Sequence, residues 1–194
     1  GELTKATNNG SHAEGRETTA SGLYSHAEGI TTVASGFASH AEGQGSTASG
    51  LSSHAEGGST ASGNVSHAEG NQTQASGAYS HAEGSSTVSS YYGSHAEGGF
   101  TTASGLYAHA EGHGNVASGE ASHAEGGKGP SLGTGNIASG DASHAEGGKA
   151  PSGSGIPSIN QPTSATTYSS HAEGIGTLAS GRASHAEGEL TKAT

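Results

Sequence analysis

Twelve copies of His-Ala-Glu-Gly carry an imidazole and a carboxylate two residues apart along the whole chain. The first six pairs are His12 and Glu14, His26 and Glu28, His40 and Glu42, His54 and Glu56, His67 and Glu69, and His81 and Glu83. The other six are His95 and Glu97, His109 and Glu111, His123 and Glu125, His144 and Glu146, His171 and Glu173, and His185 and Glu187. Such pairs suit three kinds of chemistry. Eleven copies follow serine, which invites a Ser-His-Glu hydrolase, but adjacent residues on one strand cannot bring all three side chains together. Twelve identical active sites also have no mechanistic use, so catalysis is not expected. A metal array needs an imidazole and a carboxylate on one face with further ligands from a neighbour. A hydrogen-bonded ladder of histidine and glutamate explains the same spacing without an ion, so no metal ligand and no cofactor is assigned.

The element that positions these pairs is a repeat. Successive histidines lie 14 residues apart, with one interval of 13 and two of 21 and 27. Between copies stands a second element, Ala-Ser-Gly, as at residues 20–22, 34–36 and 48–50. Aligning the two elements exposes a heptad, [Ser/Thr]-x-Ala-[Ser/Glu]-Gly-x-x. A short extended piece, then glycine and two variable residues, reads as strand and turn, with glycine supplying positive φ. Two heptads make one coil. Helix is a poor alternative, because glycine at every seventh position costs about 1 kcal/mol each and no apolar stripe is present. The expected fold is therefore all-β: a parallel β-solenoid, or β-roll, of about twelve 14-residue coils with two short strands per coil.

Composition agrees. Of 194 residues 36 are glycine, and only 28% are hydrophobic, so a core of large side chains is excluded. The fixed phase argues against the disordered linker that the same composition could describe. Six basic residues against seventeen acidic ones give a net charge of -11, which disfavours nucleic acid as a partner. No apolar run approaches the roughly 18 residues of a membrane span, and no secretory-leader pattern occurs. Cysteine is absent, which removes disulfide and thiolate-metal readings. Aspartate occurs once, at Asp141, so the calcium-binding nonapeptide of other β-rolls is missing. GELTKAT occupies residues 1–7 and again 188–194, which suggests one superunit of a longer tandem array.

Alternation along a strand puts His and Glu on one side and Ser, Ala and Gly on the other. The position seven before each histidine includes Lys5, Gln74 and Val116, poor core residues as a set, so that row faces outward. By the same parity His and Glu leave the coil, and an outward yet unvarying row is read as an interface between copies of the chain; the alternative is a coil interior lined by His and Glu, whose charges must then be paired. Threonines such as Thr18, Thr32, Thr73, Thr87 and Thr101 then face inward, which argues against an ice-binding row. Stacked glutamates about 4.8 Å apart repel, and histidine from the same or the next coil is the expected donor. If glutamate outweighs desolvation, the imidazole pKa rises and the ladder is stable only at acid pH. Tyr24, Tyr79, Tyr107, Phe37, Tyr92 and Tyr168 precede their histidines by two or three residues and are expected to shield the coil edge, with glycan stacking as the other use.

The pattern Ser-x-Ala-x-Gly-x-x-x-x-Ala-x-Gly-x-x-Ser-x-Ala-x-Gly, here SHAEGITTVASGFASHAEG at residues 25–43, resembles the haemagglutinin-type head repeats of trimeric autotransporter adhesins, also found in phage tail-fibre-like proteins. The resemblance implies a left-handed β-roll, assembly as a homo-trimer, display at a cell or virion surface and attachment to a host surface or glycan. Where those heads commonly carry aliphatic residues, this chain has His40 and Glu42. The array is expected to be single over residues 1–194, with loops at 127–134 and 148–161 inserted between coils. These share Gly-Gly-Lys-x-Pro-Ser, without the spacing of a phosphate loop. Lys128, Pro130, Lys149 and Pro151 in them are candidate recognition residues. Taken together the reading is a structural repeat segment of an extracellular fibre or adhesin, self-associating through its His/Glu face. A passive filament or coat protein, or a pH- or metal-responsive assembly module, is the alternative.

Overall fold

A computed structural model describes residues 1–127, 135–148 and 162–194, and among these every regular element is a β-strand. The chain is a β-solenoid of about twelve turns, as its repeat requires. It divides into two compact units, Gly1–Gly93 and Ser94–Thr194. In each, one strand of every coil is the two-residue piece before Ser-Gly or its equivalent, such as Thr19–Ala20, Val33–Ala34 and Thr47–Ala48. The other begins at histidine and runs for two to five residues, as in His26–Ile30, His40–Glu42 and His95–Ala96. Pairing is parallel and in register: His26 lies on His40 and His40 on His54, while Val33 lies on Thr47.

The departures from fourteen residues leave this register intact. The short interval still pairs His54 with His67, and its shortened turn is closed by Gly57 and Gly58 at φ 77° and 111°. Ser59 ties that turn down by donating its hydroxyl to the carbonyls of Glu56 at 2.7 Å and Ala68 at 2.6 Å. Across the insertions His123 pairs with His144 and His144 with His171. Two asparagines replace threonine there. Asn115 donates its amide to Glu111 and Gly126 carbonyls, Asn136 donates to Glu125 and Gly147, and the Asn136 amide N–H donates to Asn115 Oδ1 at 2.6 Å.

The core is built from small residues. Alanines from Ala20 to Ala82 form one buried cluster and those from Ala96 to Ala186 another. Beside them run buried hydroxyls, many of them donating to a nearby carbonyl, although those of Thr73, Thr87 and Thr177 have no such partner. Ser25, Ser39 and Ser53 donate to Gly22, Gly36 and Gly50 carbonyls at 2.8–2.9 Å. That bond accounts for serine before histidine, and at Ala108 only the backbone bond to Gly105, 3.2 Å, remains. Thr18, Thr32 and Thr101 donate to the Glu14, Glu28 and Glu97 carbonyls, closing the opposite turn. The expected inward threonines Thr18, Thr32, Thr73, Thr87 and Thr101 are all at most 1% exposed.

One expectation about glycine is corrected. The glycines of His-Ala-Glu-Gly do take positive φ, for example Gly29 at 108° and Gly43 at 94°. Those of Ala-Ser-Gly do not. They are glycine because the next coil lies too close: a Cβ on Gly36 would stand 2.0 Å from the Gly50 carbonyl oxygen. The left-handed turn position instead falls two residues before histidine, at Tyr24, Ala38, Ser52 and Val65, with φ of 51–59°. Any residue stands there, so no glycine signal marks it in the sequence.

Candidate functional site: the histidine and glutamate stripe

The strand pleat turns the alanine of His-Ala-Glu inward and leaves its neighbours on the outer face, as alternation requires. In the middle coils both side chains are about one-third exposed, His54 at 36% and Glu42 at 33%. Sequence parity therefore placed all these residues correctly.

Within the first unit the imidazoles from His12 to His81 form a continuous stack, with successive ring centroids 4.8–4.9 Å apart. Within the second, His95 to His185 stack at 4.7–4.9 Å with planes parallel to within 8°. The stack was not foreseen, although one histidine per coil in strict register permits little else. Glutamate meets histidine in two ways. In one coil the Nε2–Oε separation is 3.7–3.9 Å, as in His26 with Glu28 and His67 with Glu69. Between coils it is shorter: Glu42 to His54 is 3.3 Å, Glu111 to His123 3.5 Å, Glu125 to His144 2.9 Å and Glu146 to His171 3.3 Å. The expected ladder, with donors from the same or next coil, is thus present as geometry.

Its charge state departs from the acid-stable ladder. Burial is the leading cause that lowers the His40 pKa, the stacked His54 and His26 lower it further, and Glu42 opposes them. His67 is lowered in the same way, by burial and then by His54 and His81, against Glu69 and Glu83. At His40 and His67 stacking puts an imidazole on either side, and the in-register glutamate does not offset them together with burial. The carboxylates differ among themselves. A hydrogen bond with Glu42 is the chief cause that raises Glu28 and Glu56, whereas bonds from Glu56 and Glu28 hold Glu42 below its ordinary value. Glu28, Glu42 and Glu56 thus titrate as a linked set in which Glu42 gives up its proton more readily than its two neighbours.

Several tight groups result, among them His40, Glu42 and His54; His95, Glu97 and His109; and His123, Glu125 and His144. In each, one ligand atom per residue lies within 4.8 Å of the others. Away from the stripe, the six aromatic residues expected at the coil edge are 43–62% exposed and so are only partly covered by it. Tyr24 is 62% exposed and Phe37 48%; their rings meet edge to face at 5.7 Å, and the Tyr24 ring also lies against Gly10. Lys128, Pro130, Lys149 and Pro151, proposed from sequence for recognition, lie outside the described residues. No helix among the described residues is long and apolar enough to cross a membrane. The chain matches no protein-family model and no curated protein.

Proposed function

We propose that the chain is a structural repeat segment of an extracellular surface fibre or adhesin, which associates with other copies of itself through the His/Glu stripe. One observation carries the reading. The backbone stack is accounted for by Ala, Ser, Thr and Gly with Asn115 and Asn136, which fill the core and close the turns. Histidine and glutamate contribute to neither, yet they hold their place in every coil. A half-buried stripe of paired rings and carboxyls, unchanging over the array, suits a surface that meets identical stripes on neighbouring copies. The resemblance to adhesin head repeats supports a trimer and attachment as the outcome of that assembly.

Sedimentation velocity on the 18.6 kDa chain tests this. A species near three times that mass is expected, falling to monomer when the central histidines and glutamates are replaced by serine. A monomer at all concentrations up to the millimolar range overturns self-association.

A further inference from the structure

The stripe has donors that the protein itself leaves unused. Nε2 of His40 and of His109 is buried and makes no hydrogen bond. Both atoms belong to groups in which a carboxylate and a second imidazole stand within 4.8 Å. Orphaned buried nitrogens are costly unless a partner arrives, and a neutral imidazole offers Nε2 as a lone pair. We propose that a glutamate of the stripe and the two histidines that bracket it within one unit, as in His40, Glu42 and His54, form a binding site for a borderline divalent metal ion such as zinc, and that neighbouring sites exclude one another.

The donor set defines the class of ion. Two imidazole nitrogens and one carboxylate oxygen suit zinc and its transition-metal neighbours, and are a poor set for calcium or magnesium, which take oxygen ligands. Ligands about 2.0–2.1 Å from a tetrahedral ion stand about 3.4 Å from each other. The His–Glu separations already bracket that value, at 3.3 Å for His54 with Glu42 and 3.5 Å for His123 with Glu111. Water or a second molecule completes the coordination, so the site needs no association between chains. It therefore stands or falls apart from the self-association proposed above.

Exclusion follows from sharing. His144 belongs both to the group with His123 and Glu125 and to the group with Glu146 and His171. Its Nε2 already stands 2.9 Å from Glu125, and that nitrogen has one lone pair to give. Spacing acts in the same direction. Parallel rings 4.8–4.9 Å apart must lean together to hold a tetrahedral ion, and each pair that closes draws its rings away from the outer neighbours. Ions thus fill alternate layers. With twelve stripe histidines taken two to an ion, six ions per chain is the ceiling.

The test is titration calorimetry of the intact chain with zinc chloride at pH 7.5, alongside magnesium chloride. Zinc is expected to bind more tightly than about 0.1 mM and to saturate at six ions or fewer, with no heat from magnesium. Absence of saturable zinc binding, or saturation near one ion per histidine, overturns the proposal. Nitrogen-15 and carbon-13 spectra of the same unaltered protein then identify the ligands. Zinc should shift histidine Nε2 and glutamate carboxyl resonances together. A shift at Nδ1 alone, or carboxyls that do not move, refutes the assignment without recourse to any variant that might fail to fold.

Discussion

Replacing Gly36 with alanine separates two reasons for a glycine. Gly36 has no positive φ, and an added Cβ would stand 2.0 Å from the carbonyl oxygen of Gly50 and 2.7 Å from its carbon. That atom is backbone of the next coil, so relief requires the two coils to part by about 1 Å at a place where they are hydrogen-bonded. Ser35 N–H donates to Ala48 O at 2.9 Å and Gly36 N–H to the same oxygen at 3.4 Å. Loss of both, at about 1 kcal/mol each, plus overpacking of about 1–3 kcal/mol, sums to about 3–5 kcal/mol. Gly45 supplies the contrast: its φ is 75°, and nothing lies within 4 Å of a built Cβ. Gly45→Ala meets only the left-handed conformational cost, about 1 kcal/mol. Urea unfolding followed by circular dichroism measures both variants, and hydrogen exchange at the Ser35 and Gly36 amides reads the local loss. Equal costs for the two substitutions, or a Gly36→Ala variant within about 0.5 kcal/mol of the parent, would refute the close-approach argument.

Three further outcomes are expected. Ser39→Ala removes the 2.9 Å bond to the Gly36 carbonyl and should cost about 1 kcal/mol, while Ala108→Ser should gain a similar amount, both by urea unfolding. Val65 is β-branched, 46% exposed and held at φ 56°, so Val65→Asn should stabilise by about 1 kcal/mol in the same assay, and no gain would mean the turn is unstrained. In metal-free buffer the lowered pKa values of His40 and His67 mean that the unfolded chain binds more protons near their ordinary value of 6.5. Their contribution is then full above pH 6.5 and lost as pH falls through the lowered folded values, so the melting temperature should be higher at pH 8 than at pH 5.5, and the opposite order would restore a charged ladder.

The solenoid was legible before any coordinate because its information is one-dimensional. A phase that returns every fourteen residues forces like residues into register once strands pair. Alternation then sends Ala27 and Ala41 inward and His26 and His40 outward. Even the insertions were locatable, because the phase resumes after each. Sequence could not show that Gly22 and Gly36 are glycine for want of space and not for φ, since a coil-to-coil distance is no property of a single coil. Nor could it mark Ala38 or Val65 as left-handed, since the turn imposes that conformation on any side chain it receives.

The stripe divides the same way. Residue types, spacing and face were fixed by the repeat. Protonation was not, because it depends on a balance between burial, stacked imidazoles and facing carboxylates that only three-dimensional packing sets. Sequence determined which groups share a column; tertiary structure decided how near they stand and how much water they lose, and the electrostatic energy depends on both.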